Sequence, residues 1–170
     1  CSSLSSVTIP SGVHTIGERA FNDCSSLTSI SIPKNITGIP YMAFCGCSSL
    51  SSVVFSNSIT YIDEWAFGGC ERLQTISIPD SVTRISKSAF EGCISLNTIS
   101  LPSGVSQIDS RAFYSTSLTS VTINKNCVIQ ADTFPDHCQI TYNGINSESN
   151  SGEFQVEVKQ SAQELRIRSG

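Results

Sequence analysis

The eight cysteines are the residues of this sequence with the widest chemistry, because a thiol can form a disulfide, bind a metal or act as a nucleophile. Five of them recur every 23 residues, at Cys1, Cys24, Cys47, Cys70 and Cys93. Equivalent cysteines on stacked repeats have parallel Cβ vectors, which suit a row of small buried side chains better than disulfides. We therefore predict that these five form a structural ladder.

The other three cysteines lie outside this series. Cys45 is out of register, and no further Cys or His lies close enough in sequence to complete a metal site with it. Cys127 and Cys138 both fall in the irregular last repeat, where a disulfide between them would lock the C-terminal end. We predict no metal site, and both free thiols and a Cys127–Cys138 disulfide remain open.

Serine chemistry lacks partners in this sequence. Many serines occupy outward positions of the predicted strands, but neither histidine lies on such a strand and no acidic residue lies in the outward rows. A Ser-His-Asp arrangement therefore has no place to assemble. We predict no catalytic residue, no cofactor and no enzymatic activity, and we interpret the Ser/Thr rows as a solvated face or a flat polar surface for a protein or glycan.

The elements that position these residues are the units of a 23-residue repeat. Each unit carries a Leu, two alternating aliphatic residues, usually a Pro with a polar turn, two further aliphatics, and Ala-Phe. The alternation predicts a strand with one buried face, which the Pro ends. The recurring leucines and phenylalanines are Leu4, Leu27, Leu50, Leu73 and Leu96, and Phe21, Phe44, Phe67, Phe90 and Phe113.

A single unit cannot bury its own apolar residues, so the units must stack. We predict a mainly β repeat solenoid of about six coils, with a parallel sheet on one face. Asp63, Ser86 and Asp109 precede the Ala-Phe segments and suit helix N-caps. Short helical or 3₁₀ turns are therefore expected on the other face.

The pattern running from Cys70 to Phe90, and its four other copies, resembles the BspA-like leucine-rich repeats, also called the Treponema pallidum type. The resemblance covers residues 1 to about 138. It implies a leucine-rich-repeat, right-handed superhelix. It also implies export to the surface of a bacterium or parasitic protist and adhesion to host proteins or other cells. The matching positions are structural, so the resemblance assigns no functional residues.

Two regions are predicted along the chain. Residues 1–145 form the repeat domain, with units starting at 1, 24, 47, 70, 93 and 116 and a degenerate last unit. From about residue 146 the composition shifts to Ser, Asn, Glu and Gly, and then Phe154, Val156 and Val158 alternate with polar residues. Residues 146–170 are predicted to be a β-hairpin cap or the start of a following domain.

Large side chains interrupt the small polar residues on one flank of the second and third coils. They are Tyr41, Met42, Tyr61 and Trp65, and we call them the aromatic patch. Met42 and Trp65 share a repeat position and are expected about one strand spacing apart, in a cluster of the kind enriched at interface hot spots. The alternative is that these side chains lie flat and only cover the core.

Charge and hydropathy exclude some classes of function. The net charge is −4 and the ten Lys and Arg residues are scattered, which argues against nucleic-acid binding. No apolar run approaches the roughly 20 residues that cross a bilayer, so no membrane insertion is expected.

We predict a non-catalytic, macromolecule-binding module of a secreted or cell-surface protein that adheres to a host or matrix protein. A structural spacer and a glycan-binding accessory domain are the alternatives. Because Cys1 opens a full repeat unit, we expect further repeats upstream of it, and an exposed stacking face there would allow self-association.

Overall fold

A computed structural model describes residues 1–143, so the predicted segment 146–170 and the end of the predicted repeat domain lie outside the described residues. All regular elements in this part of the chain are short strands. They are β1 (Ser29–Ser31), β2 (Gly38–Ile39), β3 (Ser52–Val54), β4 (Tyr61–Ile62), β5 (Thr75–Ser77), β6 (Arg84–Ile85), β7 (Thr98–Ser100), β8 (Gln107–Ile108), β9 (Ser120–Asn124), β10 (Val128–Ile129) and β11 (Gln139–Asn143).

The strands stack in parallel on two faces of a solenoid. The even-numbered strands form one five-stranded sheet in the order β2-β4-β6-β8-β10, and the odd-numbered strands pair as β1-β3, β5-β7 and β9-β11. From β1 to β8, residues paired between neighbouring strands are 23 positions apart, the length of one repeat: Ile30 lies opposite Val53, and Ile62 lies opposite Ile85. The predicted stacked β-solenoid is confirmed. Its longest continuous sheet is formed by the second strand of each unit, and the first strands form only two-stranded pairs.

Four of the six coils turn sharply at a proline after the first strand, because proline has no N–H to donate to a strand ladder. The carbonyl of Pro79 instead accepts a hydrogen bond from the amide of Val82 at 3.0 Å, and Pro102 accepts one from Val105 at 3.1 Å. The third and sixth coils make the same turn at Ser56 and Asn124. This turn returns the chain into the second strand, so Val82 and Val105 point into the core.

The prediction of short helical or 3₁₀ turns is wrong, because no helix occurs between residues 1 and 143. The amides of Trp65 and Phe67 donate to the next coil, at 3.2 and 2.8 Å, whereas the amide of Ala66 donates back to Asp63 at 3.2 Å. In a helix, consecutive backbone amides donate hydrogen bonds to carbonyls of the same segment. In this turn, every second amide instead donates to a carbonyl of the next coil. Accordingly, nothing in these residues could cross a membrane as an apolar helix.

A left-handed residue makes this alternation possible. Trp65 has φ +57°, and its counterparts in other coils share that conformation. Such a residue turns alternate peptide groups toward the neighbouring coil and ends any helical run. The equivalent left-handed residues are Arg19, Met42, Ser88, Arg111 and Asp132.

The core consists of ladders of identical side chains. The leucines from Leu27 to Leu96 are fully buried, as are the isoleucines that face inward from β2, β4, β6 and β8. Successive phenylalanine rings from Phe21 to Phe134 stack with centroids 5.2–5.4 Å apart and planes within 6° of parallel. These distances lie in the favourable range for offset stacking, so the ring column adds geometric specificity to the buried apolar area.

The sixth coil keeps the fold although its sequence departs from the repeat after Cys127. Val128 and Ile129 still pair with β8, and Phe134 stacks on Phe113 at 5.3 Å. The amide of Cys127 donates to Asn124 at 2.9 Å, as that of Val105 donates to Pro102 in the preceding coil. Cys127 therefore takes the place of an aliphatic residue.

The first coil presents an apolar stacking face. Ile16 is half-buried, whereas Ile39 one coil later is fully buried. A shallow depression of about 270 Å³ lies here, lined mainly by Val7, Val13 and Phe21. Self-association through this face stays a prediction.

Candidate binding surface

The cysteines of the 23-residue series lie inside the solenoid from the second coil onward. Cys24, Cys47, Cys70 and Cys93 are buried, and Cys1 in the first coil is exposed. The thiols of the last three buried ones donate to the carbonyls of Phe21, Phe44 and Phe67, each 26 residues earlier in the chain, at 3.1, 3.3 and 3.1 Å. Each thiol is thus a second donor to a carbonyl that already accepts a backbone amide, and it fills the core.

The same environment holds the Cys47 and Cys70 thiols in the protonated form. Burial, and next the proximity of Cys24, raise the pKa of the Cys47 thiol to about 12. A hydrogen bond with Cys93, followed by burial, raises the pKa of Cys70. Since the thiolate is the nucleophile and the metal ligand, Cys47 and Cys70 have no reactive form near neutral pH.

Cys45, Cys127 and Cys138 are half-buried free thiols in the structure. Burial raises the pKa of all three, and Asp23 adds to the effect at Cys45. Cys127 and Cys138 are not bonded to each other here, and their disulfide stays a prediction. Between residues 1 and 143 there is also no cluster of three or more His, Cys, Asp or Glu side chains arranged to hold a metal ion.

The outward face of the first strands is uniform in chemistry. Its exposed positions are almost all serine or threonine, including Ser29, Ser52, Thr75 and Thr98. Val54 is the main departure and is 57 % exposed. Small hydroxyl side chains on successive strands offer few features by which one partner could be distinguished from another.

The outward face of the five-stranded sheet differs from coil to coil. One row of paired residues runs Gly38, Tyr61, Arg84, Gln107 and Val128. Every coil imposes the same backbone geometry on this row, so the fold does not dictate these side chains. Together with the adjoining left-handed turn row, these residues form what we call the variable face.

Tyr61 occupies a defined place on the variable face. Its ring lies over Gly38 of the neighbouring strand, where any added Cβ atom would collide with the ring carbons. The side chain nevertheless remains 41 % exposed. Glycine at position 38 therefore lets the tyrosine ring lie against the sheet with one side open to solvent.

The other members of the aromatic patch are half-buried on the same two coils. Trp65 lies against Gly68, which again has no side chain to displace the ring. The guanidinium of Arg19 lies 5.3 Å from the centre of the Tyr41 ring. Met42 and Trp65 share the left-handed turn position, whereas Tyr61 lies on the sheet and Tyr41 on the turn.

A polar cluster that was not singled out from the sequence lies beside the patch. Buried Asp109 accepts hydrogen bonds from Arg84 at 2.8 Å, from Gln107 at 2.6 Å and from Gln130 at 3.3 Å. The hydrogen bond to Asp109, and then its charge, raise the pKa of the Arg84 guanidinium. One buried carboxylate thus fixes side chains from three coils.

The signal for this cluster was present in the repeat alignment. Arg84 and Gln107 occupy equivalent positions, and Asp109 and Gln130 occupy another equivalent pair two residues further along. Four hydrogen-bonding side chains at two neighbouring positions predict a cross-coil network. Asp109 was instead interpreted alone, as a helix cap.

Three cations near the variable face are each paired with an acid. Besides Arg84 with Asp109, Lys87 lies 3.8 Å from Glu64, and Arg111 lies 2.5 Å from Glu91. Arg111 also covers the Tyr114 ring, with its guanidinium carbon 4.4 Å from the ring centre. Within residues 1–143, this pairing leaves no strip of uncompensated positive charge on the variable face.

Comparison with known families and structures gives one family match. The profile of the BspA type leucine rich repeat region matches residues 1–108 in six copies. No curated protein matches the sequence significantly.

Several solved structures resemble the chain. A leucine-rich repeat protein of T. pallidum, TpLRR, is 28 % identical, with a TM-score of 0.63 over 76 % of this chain and 67 % of that one. A leucine-rich repeat protein from Eubacterium ventriosum is 25 % identical, with a TM-score of 0.69, over 86 % of this chain and 40 % of that one. A leucine rich cell surface protein from Faecalibacterium prausnitzii is 27 % identical, with a TM-score of 0.50, over 76 % and 51 %. The chain thus spans about half or less of the last two proteins.

Proposed function

The chain belongs to the BspA-type leucine-rich repeat family, and from that premise we propose that it is a non-catalytic binding module of a secreted or cell-surface protein. Leucine-rich repeats generally mediate protein interactions. The proposed partner is a host or matrix protein, and the module acts in adhesion by surface complementarity.

The observation that carries this proposal is the contrast between the two sheet faces. The first-strand face is nearly uniform, whereas the variable face presents glycine, tyrosine, arginine, glutamine and valine on successive strands. The stacking requirement explains the inward residues and leaves the outward ones free for another role. A surface that changes along a constant scaffold suits recognition better than support.

The aromatic patch is proposed as the centre of the contact. Tyr61 and Trp65 lie against glycines, so their rings are already placed before a partner binds. Side chains ordered in advance lose less conformational entropy on binding, and aromatic residues dominate interface hot spots. The rings also cover the backbone near Gly38 and Gly68, a role that does not conflict with binding.

The proposed location is supported by one similar protein. The F. prausnitzii protein is described as a leucine rich cell surface protein, and its structure shares the coil architecture of this chain. We extend that location to this chain, and with it a partner outside the cell.

Surface plasmon resonance against collagen, fibronectin and laminin tests the proposal. The double variant Tyr41→Ser/Trp65→Ser should lose at least about tenfold in affinity for any protein that the wild type binds, or about 1.4 kcal/mol. The matched control is Val54→Ser/Ile94→Ser, which removes two exposed apolar side chains away from the patch. Thermal melting of each variant separates lost contact from lost structure.

Full capture by the Tyr41/Trp65 variant would refute the patch as the contact. If the wild-type chain binds neither these proteins nor epithelial cells, the binding proposal fails and the structural spacer replaces it.

A further inference from the structure

We infer that the row Tyr61, Arg84 and Gln107 forms a carbohydrate subsite that takes a neutral oligosaccharide of two or three pyranose rings. The inference rests on the proposed function and names the chemistry by which the variable face would recognise a glycan carried by its partner. It uses one member of the aromatic patch, Tyr61, together with Arg84 and Gln107, which lie beside the patch.

The three residues lie side by side on the outer surface. They are paired in register on β4, β6 and β8, so their Cα atoms are separated by about one strand spacing, ~4.8 Å. The residues that follow them, Ile62 and Ile85, are buried, so the row itself faces outward. Two strand spacings separate Tyr61 from Gln107, and the Tyr61 ring extends over Gly38, on the side away from Arg84. A glycan must therefore span more than one pyranose ring to contact all three side chains.

Tyr61 supplies the apolar part of the subsite. Its ring is held over Gly38 and keeps an open side, which suits the C–H face of a pyranose. A ring that projected freely would have to be ordered first, at an entropic cost.

Asp109 prepares the polar part. It holds one guanidinium nitrogen of Arg84 and the amide nitrogen of Gln107, at 2.8 and 2.6 Å. The Arg84 side chain remains 54 % exposed, so further N–H donors face solvent. Gln107 is half-buried, and its carbonyl oxygen can accept a hydrogen bond. An ordered donor beside an ordered acceptor matches two vicinal hydroxyl groups, each of which both donates and accepts.

The charge balance selects the class of sugar. Arg84 is neutralised by buried Asp109, and no other cation shares the row. A sialylated or sulfated glycan therefore gains little from this site, whereas a neutral hexose fits its donors and acceptors.

Saturation-transfer NMR and calorimetry on the full chain test the subsite. The probes are the neutral trisaccharides cellotriose, mannotriose and chitotriose, with sialyllactose as the charged comparison. We expect saturable binding of at least one neutral trisaccharide. Tyr61→Ala and Gln107→Leu should each weaken it at least tenfold, while Tyr114→Ala, a tyrosine outside the row, should leave it unchanged. Asp109→Asn should also weaken binding, because it loosens Arg84.

Each contrary result is decisive. If no neutral trisaccharide binds while the chain still captures a matrix protein, the carbohydrate subsite is refuted and the proposed function stands. A preference for sialyllactose, or full affinity in a folded Tyr61→Ala variant, also refutes it. Melting curves identify variants that fail to fold. If Tyr61→Ala is one of them, Tyr61→Phe replaces it in the test and should retain binding, because it keeps the aromatic ring.

Discussion

The cysteines of the 23-residue series serve packing in the core, because their repeat position faces inward in every coil after the first. Cys47 is fully buried, donates its thiol proton to the Phe21 carbonyl and has a pKa raised to about 12. The residue type that first pointed to chemistry therefore serves packing. Its spacing predicted this interpretation, because a row of equivalent thiols is one of the apolar rows that stacked coils bury.

The raised pKa of Cys47 predicts alkaline destabilisation. The unfolded chain releases the thiol proton near the ordinary value of 9.0, whereas the folded chain retains it to about 12. Stability should be complete below that ordinary value and fall as the pH rises between the two. Urea denaturation at about pH 8 and about pH 11 measures this, and Cys47→Ala should show a shallower decline. An equally steep decline in that variant would contradict the thiol linkage.

The phenylalanine column predicts a large effect of truncation. Phe67 is fully buried and stacks between Phe44 and Phe90 at 5.3 and 5.4 Å. Phe67→Ala should lower the free energy of unfolding by about 3–5 kcal/mol. Phe67→Leu, which keeps most of the volume, should cost clearly less. Urea denaturation gives both values, and a cost below about 1 kcal/mol for the alanine variant would show that the column is not tightly packed.

The turn that carries Ala-Phe is the element that sequence reasoning described wrongly. Asp63 before Glu64, Trp65 and Ala66 is a good local start for a helix, and its side chain does accept the Glu64 amide at 2.8 Å. The neighbouring coil decides otherwise by accepting the amides of Trp65 and Phe67. Local propensity could not predict this, since the competing acceptors lie one full repeat away in the chain.

A second left-handed position in each turn gives an opposite pair of predictions. It holds Gly46, Gly69 and Gly92 at φ +72 to +74°, but Asp23 at φ +55° in the first coil and Ser115 at φ +57° in the fifth. Gly69→Ala should destabilise by about 1 kcal/mol, because the added Cβ has room but not a favourable backbone. Ser115→Gly should be neutral or stabilising, whereas Ser110→Gly, where φ is not positive, should destabilise. Melting temperatures of the three variants test the signs, and a destabilised Ser115→Gly would contradict this account.

At the scale of the whole molecule, the period alone predicted the stacked coils, their register and the inward ladders. It could not predict that Gly38 would lie under Tyr61 or that Asp109 would hold Arg84 and Gln107. Gly38 and Tyr61 are 23 residues apart, Arg84 and Asp109 are 25 apart, and Gln107 and Asp109 are two apart. All these contacts involve outward positions, where the repeat does not restrict the residue type. The sequence therefore identified the scaffold more completely than the surface. The family match and the similar cell-surface protein likewise inform on the coils of the scaffold and not on a partner.

The most direct test of the central claim compares the two faces in one binding assay. One variant replaces the aromatic patch, Tyr41, Met42, Tyr61 and Trp65, by serine. The other places alternating charges on the first-strand face as Ser29→Lys, Ser52→Glu, Thr75→Lys and Thr98→Glu, so that neighbouring strands carry opposite charges. Binding of labelled chain to epithelial cells, measured by flow cytometry, should fall at least tenfold for the first variant and stay near wild type for the second. Retained binding in the first variant together with lost binding in the second would place the contact on the uniform face and contradict the account.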